Sequence, residues 1–204
     1  MRHAILISMM AALFGSAALA DHPGERLNEV TAEKEPGFEA ISRPGPGLDL
    51  VTMNGEKLGL EDFAGRILVI NFRPVSCTEV CDAQHQRLAK AVTSLNSSPM
   101  REMVSFVTAV EDEANIDMRD AENWSIVRSQ GGLEGLEARL AAGSERSADE
   151  PMLYIFDRQG RHVGIFHGTD FEPLNLLMHI NGLTNAHPHP EPEGFLDKAL
   201  GWFK

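Results

Sequence analysis

Cysteine and positive charge are what this sequence has least of. Its 204 residues hold two Cys, and 18 Lys+Arg stand against 30 Asp+Glu, for a formal net charge of −12. Two cysteines exclude a disulfide-dense scaffold. The shortage of cations excludes a nucleic-acid binder, which needs a basic face to neutralise phosphates. It equally excludes docking by charge on an anionic membrane surface. The sequence has no phosphate-cradling glycine loop, no His-Glu-x-x-His, no Gly-x-Ser-x-Gly and no internal repeat. What is there is an ordinary globular balance, 43% hydrophobic and 24% charged, at a length that suits one domain.

The single long uncharged run is at the start. Met1-Arg2-His3 is a short basic opening, Ala4 to Ala20 carries no charge, and Ala18-Leu19-Ala20 places small residues before Asp21. Residues 1–20 read as a secretory signal peptide, too short and too diluted by Ala, Gly15 and Ser16 for a comfortable membrane span. Asp21 stands where a lipid anchor would need Cys. The expected compartment is a bacterial periplasm, where a Cys pair persists as a disulfide. If the segment is retained, the chain is membrane-anchored instead.

Residues 21–46 are polar and broken by Pro23, Pro36, Pro44 and Pro46, which predicts a linker or lead segment with no core of its own. The domain is expected over 47–184. Leu48 to Thr52 alternates like a strand, Asn54-Gly55 is a hairpin turn, and Lys57 to Leu60 is the return. Ile67 to Phe72, Val104 to Val110 and Met152 to Phe156 are nearly all apolar, as strands covered on both faces are. His162 to Phe166 predicts another strand. Helices are expected over Val80 to Leu95, Ala121 to Arg128, Leu133 to Ala142 and Leu174 to Leu183. Glu111 to Asp120 predicts a solvated loop. Residues 185–204 read as a Pro- and His-rich tail with a short helix from Phe195 to Phe203. The order predicts an α/β fold, one sheet with helices on both faces and a hairpin at its start.

Cys77-Thr78-Glu79-Val80-Cys81 is the most informative motif. It falls at a strand-to-helix junction, where backbone N–H groups and the helix dipole favour a thiolate. A helical spacing of four places the two Cα atoms roughly 6 Å apart, inside the disulfide window. The same spacing lets two thiolates share a soft metal ion. A passive bridge is the plainer alternative, although a loop this short adds little stability by chain entropy. Glu79 and Asp82 set negative charge beside the thiols and predict a milder thiol than that of a strong oxidant.

Gly47-Leu48-Asp49-Leu50, Asn54-Gly55, Leu60 to Phe72 and Cys77 to Cys81 together resemble the Sco/SenC family. Tyr154-Ile155-Phe156-Asp157-Arg158-Gln159-Gly160 is similar to that family's later strand and turn. The resemblance runs from about Gly47 to Leu183 and is closest in its first third. It implies a thioredoxin-like fold with a central mixed sheet, and a copper protein that helps assemble the copper centre of cytochrome c oxidase. It implies copper at Cys77 and Cys81, with a third, His ligand shortly before the strand of Tyr154. Counting back along the family pattern lands on Asp149, a hard oxygen donor ill-suited to Cu(I). Thr78 and Asp82 stand where the family usually has Pro after each cysteine. Pro151 resembles the cis-proline that redox-active thioredoxin-like proteins keep beside their dithiol; a trans Pro at a strand start is the alternative.

Two histidines are candidate substitute ligands. His85 follows Cys81 by one helical turn and leans toward it, though a solvated surface His is the plainer reading of that position. His167 closes a strand near the expected sheet end, where a packed role is common. His187 and His189 each precede a proline in the tail.

Three functions are consistent with these residues. The first is a Sco-like periplasmic assembly factor for a copper site of cytochrome c oxidase, acting through the Cys77/Cys81 pair by copper binding, thiol-disulfide exchange or both. Its partner would be an exported or membrane protein with a thiol or copper site, such as an oxidase subunit, with neither nucleic acid nor a lipid anchor involved. The second is a general periplasmic thiol-disulfide oxidoreductase, in which Cys77 attacks a partner disulfide and Cys81 resolves it. The third is a non-catalytic thioredoxin-fold binding module.

Overall fold

A computed structural model describes residues 26–77, 79–111, 121–147 and 149–185. In chain order the elements are α1 (Leu27–Lys34), β1 (Phe38–Pro44), β2 (Leu50–Thr52), β3 (Lys57–Leu58), β4 (Ile67–Arg73), α2 (Glu79–Asn96), β5 (Val104–Val110), β6 (Trp124–Ser129), α3 (Leu133–Ala141), β7 (Met152–Phe156), β8 (Arg161–His167) and α4 (Pro173–Asn185). Short 3-10 turns at Leu60–Phe63 and Pro99–Met103 lead into β4 and β5.

The apolar runs of β4, β5 and β7 dictate the centre. Every residue of β5 and β7, and all of β4 but Arg73, is buried. Successive side chains of a strand point to opposite faces, so such strands need cover above and below. They find it in an eight-stranded sheet of order β1-β8-β7-β4-β5-β6-β2-β3. Only the β4–β5 and β5–β6 ladders are parallel; the other five are antiparallel. On one face Ile67 and Val69 of β4 pack with Leu88 and Val92 of α2 and with Leu176 and Ile180 of α4. On the other, Leu68, Ile70 and Phe72 pack with Leu136 and Leu140 of α3. This is the expected mixed α/β, thioredoxin-like architecture with helices on both faces.

The hairpin forms as expected. Leu50 pairs with Leu58, and Gly55 at the turn has φ +88°, which a side chain would oppose.

Two expectations are overturned. The stretch read as a linker supplies α1 and β1, and β1 pairs antiparallel with β8, Phe38 opposite Phe166. Phe38 and Ile41 are buried. Pro36 precedes the strand and Pro44 ends it, so the prolines bracket an edge strand, where a missing N–H is tolerated. The segment read as a helix over Ala121 to Arg128 is instead β6, parallel to β5, with Thr108 opposite Ile126. Its run Trp-Ser-Ile-Val is rich in β-branched and aromatic residues, and Trp124 and Val127 are buried. Residues 1–20, most of the acidic stretch, which falls at 112–120, and the tail beyond Asn185 lie outside the described residues. Among the described residues no helix is long and apolar enough to cross a membrane.

Candidate redox-active dithiol site

The site forms where β4 leaves the sheet. Pro74 has no N–H to extend the ladder, and the chain turns at once, the Cys77 N–H donating to the Pro74 carbonyl at 3.0 Å. The Val75 N–H donates to the Glu111 carboxylate at the end of β5, 2.9 Å away. Helix α2 then starts at Glu79. Cys77 stands just before the helix and Cys81 in its first turn, and the two are joined in a disulfide with Cα atoms 5.7 Å apart. That agrees with the spacing argument, though Cys77 itself is not helical. Cys81 is 2% exposed, whereas Cys77 is half-buried. Val75 and Val80, on either side of Cys77, are 65% and 51% exposed.

The charges near the disulfide are mostly acidic. Asp82 is ion-paired with Arg73 at the end of β4, which offsets one of the two carboxylates expected to weaken the thiols. Glu79, Glu111 and Glu150 are exposed.

Beneath the dithiol the helix face Cys81, Gln84, His85, Leu88 is buried. His85 is on the same face as Cys81, as its spacing predicts, but it is buried and stacks on Trp124 of β6 with ring centroids 4.9 Å apart. It is therefore not a solvated surface residue. A polar ladder crosses the sheet there: Trp124 Nε1 donates to Thr108 Oγ1 at 2.9 Å, and Thr108 Oγ1 donates to Asn71 Oδ1 at 2.8 Å. Buried hydroxyl and indole groups need such partners. Gln84 Nε2 donates to the carbonyl of Gly168 at 3.1 Å, and the Gly168 N–H donates to the Pro151 carbonyl at 2.8 Å. These bonds tie α2, the end of β8 and the start of β7 together beside the disulfide. Pro151 is trans, since no described peptide bond is cis, which corrects the cis-proline expectation; the residue stands at a strand start, where trans Pro is common.

His167, at the end of β8, is paired with β1. Its Nε2 meets Glu39 of β1 at 2.7 Å, in a nearly buried pair. Burial pushes the Glu39 carboxyl up, but the Glu145 N–H, the Ser144 hydroxyl and His167 outweigh it and hold it below its ordinary value. Arg146 donates to the carbonyls of Pro36 and Phe38, so β1 anchors the loop that leads into β7. This Glu39–His167 pair joins residues 128 apart in the chain, and no sequence spacing announces it. Asp149 is exposed and accepts a hydrogen bond from Ser147.

The reduced pair would offer a copper ion two thiolates, soft donors of the right kind. Among the described residues, however, no group of three or more His, Cys, Asp and Glu is placed to hold a metal. Neither His85, under Trp124, nor His167, held by Glu39, completes such a group with the cysteines. Among the described residues the two soft donors stand without a third, an arrangement that suits a dithiol–disulfide couple better than a resident metal site.

Residues 42–113 match the SCO1/SenC family model, a stretch that holds β4, the turn and both cysteines. The fold is similar to that of BsSco, a member of the Sco family of cytochrome c oxidase assembly proteins, in which a disulfide switch was identified; identity is 11%, TM-score 0.59, over 73% of this chain and 98% of that one. It is also similar to a SCO1/SenC family lipoprotein from Bacillus anthracis, at 14% identity, TM-score 0.56, over 72% and 98%. A putative electron transfer protein from Aquifex aeolicus aligns at 15% identity, TM-score 0.52, over 76% and 99%. No curated protein matches the sequence. With a thioredoxin-like sheet, a Cys-x-x-x-Cys where β4 runs into α2, and the family-model match across that junction, the chain is similar to the SCO1/SenC family over residues 42–113.

Proposed function

We propose that this chain is an exported thiol-disulfide exchange factor of Sco type, which sets the redox state of cysteines on a partner protein during assembly of a copper site, that of cytochrome c oxidase in particular. The observation that carries this reading is the asymmetric pair at the head of α2: Cys77 half-buried, Cys81 buried behind it and already bonded to it. The disulfide switch of the similar BsSco structure supports it. A periplasmic setting follows from the signal-like residues 1–20.

The exchange needs nothing beyond the two sulfurs. In the reduced chain the Cys77 thiolate attacks one sulfur of a partner disulfide. That S–S bond breaks, a mixed disulfide forms, and the partner's other sulfur leaves and takes up a proton. Cys81 loses its proton and attacks the Cys77 sulfur, and the partner's second sulfur leaves in turn. Two electrons and two protons have passed to the partner, and the chain is left with the Cys77–Cys81 bond seen here. The first turn of α2 favours the attacking thiolate through its free N–H groups. Copper enters this reading as cargo on the partner's cysteines, which bind it only when reduced.

The test is trapping. With Cys81→Ser, Cys77 should accumulate as a mixed disulfide with a dithiol copper-site domain supplied in its oxidised form. With Cys77→Ser it should not. Absence of any adduct on Cys81→Ser, with Cys77 alkylatable, would contradict the reading.

A further inference from the structure

Beside the dithiol lies a cavity of about 440 Å³. Its lining includes Val80, which precedes Cys81 in α2, with Phe171, Glu35, Glu150, His167 and Asp170. Among the described residues no Lys or Arg lines it. Two of its acidic or basic groups are already committed. Glu35, 3% exposed, accepts from the Glu172 N–H at 2.9 Å and from Asn175 Nδ2 at 2.6 Å, and His167 is turned to Glu39. Glu150 is different. It is exposed, no described residue donates a hydrogen bond to it, and its Oε2 lies 2.7 Å from where a Cβ on Gly168 would stand. Gly168, with φ +73°, thus lets this carboxylate lie over the backbone at the cavity's edge. The Asp170 side chain is fully exposed, and Arg87 lies 3.8 Å from it, a contact of the kind that contributes little.

Resting on the reading of Cys77 as the attacking thiol, we infer that this cavity is a subsite for a Lys or Arg side chain of the partner polypeptide, placed near its reacting cysteine. The cavity offers an apolar wall, mainly Val80 with the edge of the nearly buried Phe171, and an acidic mouth, Glu150 and Asp170. A long cationic side chain matches both, with its methylene stem on the wall and its head at the carboxylates. Val80 is 51% exposed beside a reactive disulfide, a position a docked chain would cover. The net charge of −12 would draw a basic segment toward the site before contact.

The inference is tested with the reduced full chain and three cysteine peptides, each activated as a mixed disulfide with thionitrobenzoate and identical except for Arg, Ala or Glu next to the cysteine. Release of thionitrobenzoate gives the rates. At low salt the Arg peptide should react about tenfold faster than the Glu peptide, and the ratio should fall toward one near 1 M salt, as screening requires. In Glu150→Gln/Asp170→Asn the Arg-to-Glu ratio, with each rate normalised to that of the neutral reagent hydroxyethyl disulfide, should drop below about threefold at low salt. Equal rates for the Arg and Glu peptides, with the neutral reagent reduced normally, would overturn the subsite and leave the exchange function standing. An Arg preference that survives undiminished in the double variant would overturn it as well. A chain that reduced no disulfide, the neutral reagent included, would contradict the exchange function and this subsite together.

Discussion

Acid should weaken this domain before most of its carboxylates are protonated, because two histidines are sealed inside it. His162 and His179 are both 0% exposed. Burial, then the nearby Arg43 guanidinium, pushes His162 down to about 4, and burial alone brings His179 to about 4. The geometry agrees. Thr31 Oγ1 gives its own proton to the Leu27 carbonyl, so in its 2.9 Å contact with His179 Nδ1 the ring nitrogen must donate. That leaves Nε2 as a lone-pair nitrogen between Phe38 and Phe166, with no hydrogen-bond partner among the described residues. A proton there would be an uncompensated buried charge. Above the ordinary value of 6.5 both folded and unfolded forms are neutral, and these residues add no pH dependence. Between 6.5 and about 4 the unfolded chain takes up the protons and the folded one does not, so stability falls as pH falls. The slope is about 1.4 kcal/mol per pH unit for each histidine. At about pH 5 that amounts to about 2 kcal/mol each, or about 4 kcal/mol together, a large part of an ordinary domain's stability. Glu39, held below its ordinary value, adds to the loss only at lower pH. Urea unfolding near pH 7 and near pH 5 gives the difference directly. His179→Phe keeps the aromatic packing, gives up the Thr31 bond, and should cut the pH slope by about half. Equal stability at the two pH values, or an unaltered slope in His179→Phe, would refute the reasoning.

Truncation of Phe38, packed on Phe166 and His179 at centroid distances of 5.1 and 4.7 Å, should cost about 3–5 kcal/mol in Phe38→Ala, read by urea unfolding. A chain lacking 26–45 should lose cooperative unfolding altogether, and one as stable as the full domain would return that segment to the status of a linker. Asp149→His should raise Cu(I) affinity of the reduced chain by about tenfold or more, the scale of one coupled interaction, as measured by competition with a chelator. Equal affinities would show that residue 149 does not lie at the family's ligand position.

How much of this was legible in the sequence depended on whether an element was marked by its own residues. The runs in β4, β5 and β7 announced themselves because a strand covered on both faces has no polar side to hide. Helix α2 was legible from its stripe at Leu88, Val92 and Leu95, all buried. The dithiol was legible because a spacing of four is a local distance. Strand β1 was obscured by Pro36 and Pro44, since proline reads as a breaker and only the sheet order shows that it bounds an edge. Strand β6 was obscured by the Ala and Glu before it, and by a burial pattern that recurs every three residues rather than every two. His85 read as solvated because nothing in the sequence places Trp124 above it. The Glu39–His167 and Arg43–His162 contacts are long-range products of the β1–β8 pairing, invisible until β1 is known to be a strand.

The central claim is that Cys77 and Cys81 act as one reversible two-electron couple. Equilibrating the full chain in glutathione buffers of graded potential, then quenching, alkylating and weighing it, tests this most directly. The account predicts two species only, one with both cysteines alkylated and one with neither, interconverting in a single step as two hydrogens are gained or lost. Two thiols that stay alkylatable in air, or a bridge that no glutathione ratio opens, would contradict it.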